Sequence, residues 1–460
     1  MLPRTCVIGA SISGLNAGKA LTDAGVPYEC FESSDRIGGN WAFGNPNGHS
    51  SAYRSLHIDT SKDLVSFRDF PMDPSYPDFP HHSEIKQYLE QYADAFGLKD
   101  RIAFETRVDH ARRQDGGGWE IQTADGETRR FDALVVGNGH HWDPRLPDFP
   151  GEFSGESIHS HAYISPTEPL QLRDKRVLVV GIGNSAADIT SELSQKTLGN
   201  DVVLSTRSGA WVVPKYAFGR PSDRVGKTLP YVPLSWQRRL VRGLPRLLSG
   251  RMEDYGLPTP NHNFLEAHPT VSSELLLRLG SGDARAKPNV THLEGAAVHF
   301  TDGSSEEFDA IVYATGYNIT FPFFDEAFLS APDNHLTLYK RVFKPGIDDL
   351  AFVGFAQALP TLFPFVEWQS RLVARYLSGR YRPPAPAEMQ RTIVREQKLY
   401  TGHYNASARH TQQIEFFTYE RDMERRELPA GAKRVSRQGP VRLAGRAYHA
   451  DLASSSSSRS

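Results

Sequence analysis

Two glycine-rich turns have the residue types and spacing that bind a dinucleotide. The first reads Gly9-Ala10-Ser11-Ile12-Ser13-Gly14, and the second reads Gly181-Ile182-Gly183-Asn184-Ser185-Ala186. Small residues let the backbone approach a pyrophosphate at a helix N-terminus. We therefore predict two nucleotide cradles. Their predicted contacts are Gly9, Ser11, Ser13 and Gly14 in the first, and Gly181, Gly183, Asn184 and Ser185 in the second.

The residues after each turn indicate which nucleotide is bound. Glu32 follows Gly14 by 18 residues, where a carboxylate can accept hydrogen bonds from ribose hydroxyls. The second unit instead has Ser205, Thr206 and Arg207, which suit a 2′-phosphate. This favours FAD at the first turn and NADPH at the second, unless Arg207 is an ordinary surface arginine.

Each turn must be positioned by a strand before it and a helix after it. The first unit is predicted as a strand at 5–8, a helix at 15–24 and a strand at 27–31. The second is predicted as a strand at 176–180, a helix at 187–193 and a strand at 201–206. Right-handed crossovers make the strands of each unit parallel.

Two such units predict an α/β fold with two Rossmann-like domains, and we expect the smaller NADPH domain to be inserted into the larger FAD domain. We assign 1–165 and 315–430 to the FAD domain and 166–314 to the NADPH domain, with an irregular insertion at 216–269. Linkers are expected near 142–165 and 314–322. The basic and serine-rich end, 431–460, is expected to be disordered.

Composition excludes several classes of protein. The 460 residues carry a net charge of −2, so nothing favours a nucleic-acid partner. The two cysteines, Cys6 and Cys30, cannot form a CxxC pair, and they suit a reducing compartment. There is no run of about 18 apolar residues, so no membrane span is expected. The apolar N-terminus reads as the first strand rather than a signal peptide, and the expected location is the cytoplasm.

Several further segments together resemble the flavin-containing monooxygenases. Phe153, Gly155, His159 and Tyr163 match that family's FxGxxxHxxxY pattern, although Ile164 replaces the usual basic residue that follows it. The segments at 37–41, 53–62, 205–211 and 314–317 are also similar to the family. The resemblance extends from about residue 4 to residue 378.

The resemblance implies a reaction. NADPH reduces FAD, oxygen adds to the flavin C4a, and the resulting (hydro)peroxyflavin oxygenates nitrogen or sulfur of a small molecule. The protein then supplies binding, orientation and exclusion of water. Alternatives are Baeyer–Villiger oxygenation of ketones, an uncoupled NADPH oxidase and a non-oxygenating flavoprotein. The substrate is an unnamed amine or sulfide, and a homodimer is left open.

Asp59 is the expected catalytic residue, because the family usually has asparagine there, beside the reactive edge of the flavin. An amide can donate a hydrogen bond to a flavin peroxide, whereas an ionised carboxylate only accepts. We therefore expect Asp59 to alter how tightly oxygen activation is coupled to substrate oxygenation. The alternative is that Asp59 caps a turn and points away from the flavin.

The resemblance also suggests FAD contacts by Gly39, Trp41, Thr60 and Gln369. A helix beginning near Glu367 would then stabilise the reduced flavin anion. The segment 235–251 is basic and amphipathic. Its five arginines are Arg238, Arg239, Arg242, Arg246 and Arg251. We expect it to cover the substrate entrance, with contact to an anionic membrane surface as the alternative.

Overall fold

The chain forms two α/β units joined by two crossing segments. The computed structural model describes residues 1–224, 236, 239, 242–264, 267–400 and 412–443. Each unit is built on a five-stranded parallel sheet that carries one of the glycine-rich turns. The predicted two-domain α/β class is confirmed.

The first sheet is assembled from both ends of the chain. Its order is Leu350–Phe352, Ala133–Val136, Thr5–Ile8, Tyr28–Phe31 and Ile102–Ala103. The strands Leu350–Phe352, Ala133–Val136 and Thr5–Ile8 are wholly buried, as expected for a parallel sheet covered on both faces, whereas the edge strand Ile102–Ala103 is half-buried. Helices Ile12–Ala24 and Phe363–Leu377 pack against each other in the core beside it.

The second sheet repeats this arrangement within the inserted unit. Its order is Glu156–His159, Ala310–Tyr313, Arg176–Val180, Asp201–Ser205 and Ala284–Lys287. Helix Asn184–Leu193 covers it and begins within the second glycine-rich turn. Both units thus place a glycine-rich turn at the carboxyl end of a central strand, where ligands bind in such sheets.

The crossing between the units lies earlier than the predicted boundary at 165. Strand Glu156–His159 belongs to the second sheet, and Gly151–Phe153 pairs with Val290–Gly295 of the same unit. The two crossing segments also pair with each other, Asp143–Pro144 antiparallel to Tyr317–Asn318. This pairing joins the two connections in one short antiparallel ribbon.

The FxGxxxHxxxY residues lie beside this crossing. A Cβ on Gly155 would come within 2.6 Å of the Asp309 carbonyl oxygen and of the Phe153 ring. The Tyr163 hydroxyl donates to the Glu192 carboxylate at 2.8 Å. The motif therefore packs the crossing segment against the second unit.

The remaining elements are shorter or peripheral. The helices are Lys62–Val65, His82–Ala95, Leu244–Ser249, Leu275–Gly280, Pro386–Tyr400 and Phe416–Asp422. A separate three-stranded sheet is formed by Val108–Arg113, Trp119–Thr123 and Thr128–Phe131, and a second antiparallel group by Val290–Gly295, Ala297–Phe300 and Ser305–Glu307. In the described part of the chain, no helix has the length and apolar character needed to cross a bilayer.

The expectation of a disordered end from residue 431 is wrong for residues 431–443. Helix Leu428–Gln438 continues from a π-helical turn, Met423–Glu427. Gly431 lies so close to Tyr381 that a Cβ there would come within 2.0 Å of the ring, and the Tyr381 hydroxyl donates to Glu427 at 2.6 Å. Basic composition did not prevent order, because this buried contact fixes the helix. Residues 444–460 lie outside the described residues.

Candidate active site

A cleft of about 2730 Å³ lies between the two units. Both glycine-rich turns open into it. The predicted site residues that line it are Gly9, Ser11, Ser13, Glu32, Gly39, Trp41, Asp59, Thr60, Gly181, Gly183, Asn184, Ser185, Ser205, Thr206 and Arg207. Gly14 and Gln369 do not line it. The topology therefore brings together residues that are nearly 200 positions apart.

The first turn has no room for larger side chains. A Cβ on Gly14 would lie 1.6 Å from the Gly9 carbonyl oxygen, and one on Gly9 would lie 2.7 Å from the Gly137 carbonyl oxygen. Gly9 also has φ +98°, which favours glycine. Gly14 therefore allows the helix to pack closely on the strand, and the helix N-terminus points into the cleft.

Ser11 replaces the second glycine of the usual fingerprint without filling the cradle. Its hydroxyl donates to the Gly38 carbonyl at 2.7 Å. A Cβ on Gly39 would lie only 2.8 Å from the Ser11 Cβ. The side chain at position 11 is thus accommodated by glycine at position 39.

Glu32 lies at the end of the second strand, as the sequence indicates. It is 5% exposed, and its carboxylate accepts hydrogen bonds from the backbone N–H groups of Ala10 at 2.7 Å and Ser34 at 2.8 Å. Burial raises the pKa of Glu32, and these backbone donors oppose that rise. The bonds fix the carboxylate at the rim of the first cradle, where it can accept from ribose hydroxyls.

The second glycine-rich turn, like the first, leaves no room for a larger side chain. Gly181 has φ +140°, and a Cβ there would lie 2.3 Å from the Ala314 carbonyl oxygen. Helix Asn184–Leu193 begins at the cleft with Gly183 as its N-cap residue and without acidic residues in its first turn. Such an N-terminus favours anions.

The three residues expected at the 2′-phosphate differ in their surroundings. The Ser205 hydroxyl is buried and donates to the Pro288 carbonyl at 2.7 Å, and the Thr206 hydroxyl donates to the Ser208 carbonyl at 2.8 Å. Arg207 is exposed at the cleft wall. Of the three, Arg207 has the side chain best placed to meet a phosphate.

Asp59 lies in the cleft between the two turns and forms an ion pair across the domain boundary. Its Oδ1 is 3.3 Å from Nζ of Lys215, and both side chains are about one-fifth exposed. Burial raises the pKa of Asp59, while Lys215 and a hydrogen bond from the Asn184 side chain oppose the rise. Asp59 does not cap the following helix, whose N-cap residue is Ser61.

A second carboxylate lies beside this ion pair. Asp188, on the helix that follows the second turn, accepts a hydrogen bond from the Tyr53 hydroxyl of the first unit. Burial, and next the negative charge of Asp59, raise the pKa of Asp188 to about 7. Two acids, one lysine and one tyrosine thus form a polar cluster that connects the units.

The sequence did not point to two members of this cluster. Asp188 follows Asn184 by four positions, so both lie on one face of a helix, and this spacing was an available signal. Lys215 lies in irregular chain beside the strand Tyr216–Ala217, where no periodicity or motif indicates its direction. Only the packing of the two units brings it to Asp59.

Gln369 does not face the cleft. It is fully buried in helix Phe363–Leu377, its Oε1 accepts from the Gly354 N–H at 2.8 Å, and its Nε2 donates to the Arg341 carbonyl at 2.7 Å. The expected helix start near Glu367 is also wrong, because the helix begins at Phe363. Gln369 therefore supports the backbone at Gly354, which does line the cleft.

The remaining predicted contacts lie on the first unit's side of the cleft. Trp41 ends the short 3-10 turn Gly39–Trp41, and the Thr60 hydroxyl donates to the Pro360 carbonyl at 3.0 Å. Glu415, from the returning C-terminal strand Gln413–Glu415, also lines the cleft, which the sequence did not suggest.

The basic segment 235–251 is only partly within the described residues. Arg238 lies outside them. Helix Leu244–Ser249 begins with Pro245 in its first turn, and Leu244 and Leu248 line the cleft. Leu247 and Trp236 are exposed, at 74% and 62%. The described portion therefore forms part of the cleft wall, and the role of the segment as a cover of the substrate entrance stays a prediction.

These features fit two dinucleotides facing each other. The two tight turns each present a helix N-terminus, Glu32 suits a ribose, and Arg207 suits a 2′-phosphate. The fold and site thus define an oxidoreductase of the two-dinucleotide class, with a first unit suited to FAD and a second suited to NADPH.

Comparison with known proteins gives the family. The family model described as FMO-like, flavin-binding monooxygenase-like, matches residues 3–430. The chain is 36% identical over 459 residues to dimethylaniline monooxygenase [N-oxide-forming] 2 of Rattus norvegicus, covering 94% of this chain and 83% of that protein. It is 35% identical over 435 residues to flavin-containing monooxygenase 5 of Homo sapiens, covering 90% and 80%. The chain belongs to the flavin-binding monooxygenase-like family, and it is an NADPH- and oxygen-dependent monooxygenase.

Solved structures show the same architecture. S-allyl-L-cysteine S-oxygenase from Allium sativum is 25% identical with a TM-score of 0.69, covering 94% of this chain and 89% of that one. NADP⁺-bound cyclohexanone monooxygenase from Rhodococcus sp. Phi1 is 19% identical with a TM-score of 0.68, covering 95% and 98%. The second similarity concerns the fold alone.

Proposed function

We propose that the chain oxygenates nitrogen or sulfur atoms of small molecules in the cleft between its two units. The observation that carries this proposal is that both nucleotide cradles open into one cleft, and that the Asp59–Lys215 ion pair lies on the wall of this cleft. The bound flavin, reduced by NADPH, supplies the reaction with oxygen.

The chain's own residues bind and orient the two nucleotides and shield the cleft from water. The two helix N-termini bind the phosphates of the two nucleotides. Glu32 accepts hydrogen bonds from the ribose of the first, and Arg207 binds the 2′-phosphate on the ribose of the second. Lys215 holds the Asp59 carboxylate at the domain boundary at 3.3 Å. Leu244 and Leu248, on the described helix of the insertion, line one wall of the cleft. Because these side chains are apolar, they limit water at this wall.

The names of the relatives support soft nucleophiles as substrates. One relative is named for N-oxide formation from dimethylaniline, and a structural neighbour is an S-oxygenase of S-allyl-L-cysteine. A tertiary amine and a thioether share a polarisable lone pair that attacks an electrophilic oxygen.

Ketone oxygenation is the second candidate, and one observation favours it. Position 59 is an acid paired with Lys215 rather than an amide, and an ionised carboxylate cannot donate a proton. Baeyer–Villiger chemistry requires the unprotonated, nucleophilic form of the oxidant. The ionisation of Asp59 therefore bears on which reaction dominates.

One experiment separates these outcomes. The FAD-loaded protein is reduced with NADPH without oxygen and then mixed with oxygen and a tertiary amine, a thioether or a cyclic ketone. We expect oxygenated product from the amine or thioether in proportion to NADPH consumed. Product from the ketone alone would support the second candidate, and hydrogen peroxide without product would indicate an NADPH oxidase. Oxygen-stable reduced flavin would contradict the proposal.

We further propose that the protein works in the cytoplasm, because the buried thiols Cys6 and Cys30 need no oxidising compartment. Fractionation of cells that produce the protein tests this location. Light scattering of the purified protein distinguishes a monomer from the homodimer that the sequence leaves open.

A further inference from the structure

We propose that a β-hairpin of the second unit binds a divalent transition-metal ion of the Zn²⁺ type through His292, Glu294 and His299. The hairpin consists of strands Val290–Gly295 and Ala297–Phe300. It lies outside the nucleotide cleft, so this site is separate from the proposed oxygenation.

The three side chains converge on one face of the hairpin. His292 and His299 are directly opposite on neighbouring antiparallel strands, and Glu294 is two residues further along, on the same side. The imidazole rings stack with centroids 4.0 Å apart and planes at 9°. Nε2 of His299 is 3.5 Å from Oε2 of Glu294, and one ligand atom from each residue lies within 4.8 Å of the others.

These distances suit tetrahedral coordination. Zn²⁺ binds nitrogen and oxygen at about 2.0–2.2 Å, which places neighbouring ligand atoms about 3.3 Å apart. The Glu294 and His299 atoms already have nearly this separation. Rotation of the exposed His292 ring brings the third ligand closer, and water completes the coordination.

The backbone that carries the ligands is fixed by the sheet. The hairpin is flanked by Ser305–Glu307 on one side and by Gly151–Phe153 on the other, in a four-stranded sheet. On the other face of the hairpin, Leu293 and Val298 belong to a buried apolar cluster. The backbone therefore needs no rearrangement to present the three ligand side chains to a metal.

The charge on this face also favours a cation. Glu152 pairs in register with Glu294 across parallel strands, so two carboxylates lie side by side on this face. Within the described ranges, neither acid has a lysine or arginine at ion-pair distance, and the contact of Glu294 is with His299. Like charges opposite each other in a sheet are unfavourable, and a bound cation removes that cost.

The ligand set selects the class of metal. Two imidazoles with one carboxylate suit Zn²⁺ and its transition-metal neighbours, whereas Mg²⁺ and Ca²⁺ prefer oxygen ligands. Bound metal would join the two hairpin strands beside Gly151–Phe153, the strand that follows the first domain crossing. We therefore assign it a stabilising role at this end of the second unit.

Zn²⁺ binding to the full-length, FAD-loaded protein tests the site. The protein is stripped with a chelator and then competes with a chromophoric indicator for Zn²⁺. We expect one tight equivalent in the unmodified protein. His299→Ala and Glu294→Gln should each weaken Zn²⁺ binding at least about tenfold, since even a residue that only hydrogen-bonds a metal ligand is worth that much. His110→Ala is the matched control, because it removes an exposed strand histidine from another sheet.

A second readout is thermal unfolding. Zn²⁺ should raise the unfolding temperature of the unmodified protein and of His110→Ala, but not of His299→Ala, and Mg²⁺ should have no effect. Circular dichroism and flavin content verify that each variant folds, and Glu294→Gln keeps the side-chain shape. Equal Zn²⁺ affinity in all four proteins, or no retained Zn²⁺ in the unmodified one, overturns the proposal.

Discussion

Replacing Lys215 with methionine should move the pH at which Asp59 ionises. The substitution removes the cation 3.3 Å from Asp59 and keeps a side chain of similar length. Because burial already raises the pKa of Asp59 and Lys215 opposes that rise, loss of the lysine raises it further. The protonated acid then persists to higher pH.

The size of the shift follows from the geometry. Two unit charges 3.3 Å apart attract by ~5 kcal/mol at an effective dielectric constant of about 20. Both side chains are about one-fifth exposed, and water screens part of that attraction. A remainder of ~1–3 kcal/mol corresponds to an upward shift of about one to two pH units.

The assay is the hydrogen peroxide released per NADPH consumed, measured from about pH 5 to pH 9 with FAD-loaded protein. We expect the midpoint of this profile to lie about one to two units higher in Lys215→Met. Lys196→Met is the matched control, because Lys196 is a surface lysine paired with Asp283, away from the cleft. In an Asp59→Asn background, Lys215→Met should leave the profile unchanged, since the titrating group is absent.

An unchanged midpoint in Lys215→Met would refute this reasoning, and so would an equal shift in Lys196→Met. A shift that persists in the Asp59→Asn background would assign the titration to another group of the cluster, and Asp59 would then have no part in coupling.

Three further outcomes are expected. Asp188→Asn should stabilise the protein increasingly as pH rises from about 4 to about 7, because the folded acid holds a proton that the unfolded chain releases; unfolding temperatures across that range check this. Arg207→Glu should lower the preference for NADPH over NADH at least about tenfold in kcat/KM, and an unchanged ratio would contradict the assignment. Gly14→Ala should abolish retention of FAD, since its Cβ would lie 1.6 Å from a carbonyl oxygen, whereas Gly116→Ala, with open space around it, should retain the flavin.

Local sequence was sufficient for the parts of the fold that local physics controls. A β-branched run, a turn of small residues and a helical segment recur at 5–24 and 176–193, and each forms the predicted strand, turn and helix. Backbone sterics at Gly14 and Gly181 allow few alternatives, so the pattern is specific. The recurrence of this pattern also predicted the two-domain class, which the two parallel sheets confirm.

The domain boundary and the structure of the C-terminal segment were less predictable from the sequence, because long-range contacts decide them. Strand Glu156–His159 joins the second sheet through Ala310–Tyr313, more than 150 residues away. Helix Leu428–Gln438 forms on a basic, glycine-containing segment because Gly431 packs on Tyr381.

The sequence by itself determined the two cradles, the acid at position 59 and the class of cofactors, because each depends on residues close together in the chain. The tertiary structure decided what those residues meet. Lys215 lies beside Asp59, and Tyr53 beside Asp188, only because the two units pack against each other. The ionisation of Asp59 therefore depends on burial, which raises its pKa, and on a charge 156 positions away that opposes the rise, and no local pattern encodes either.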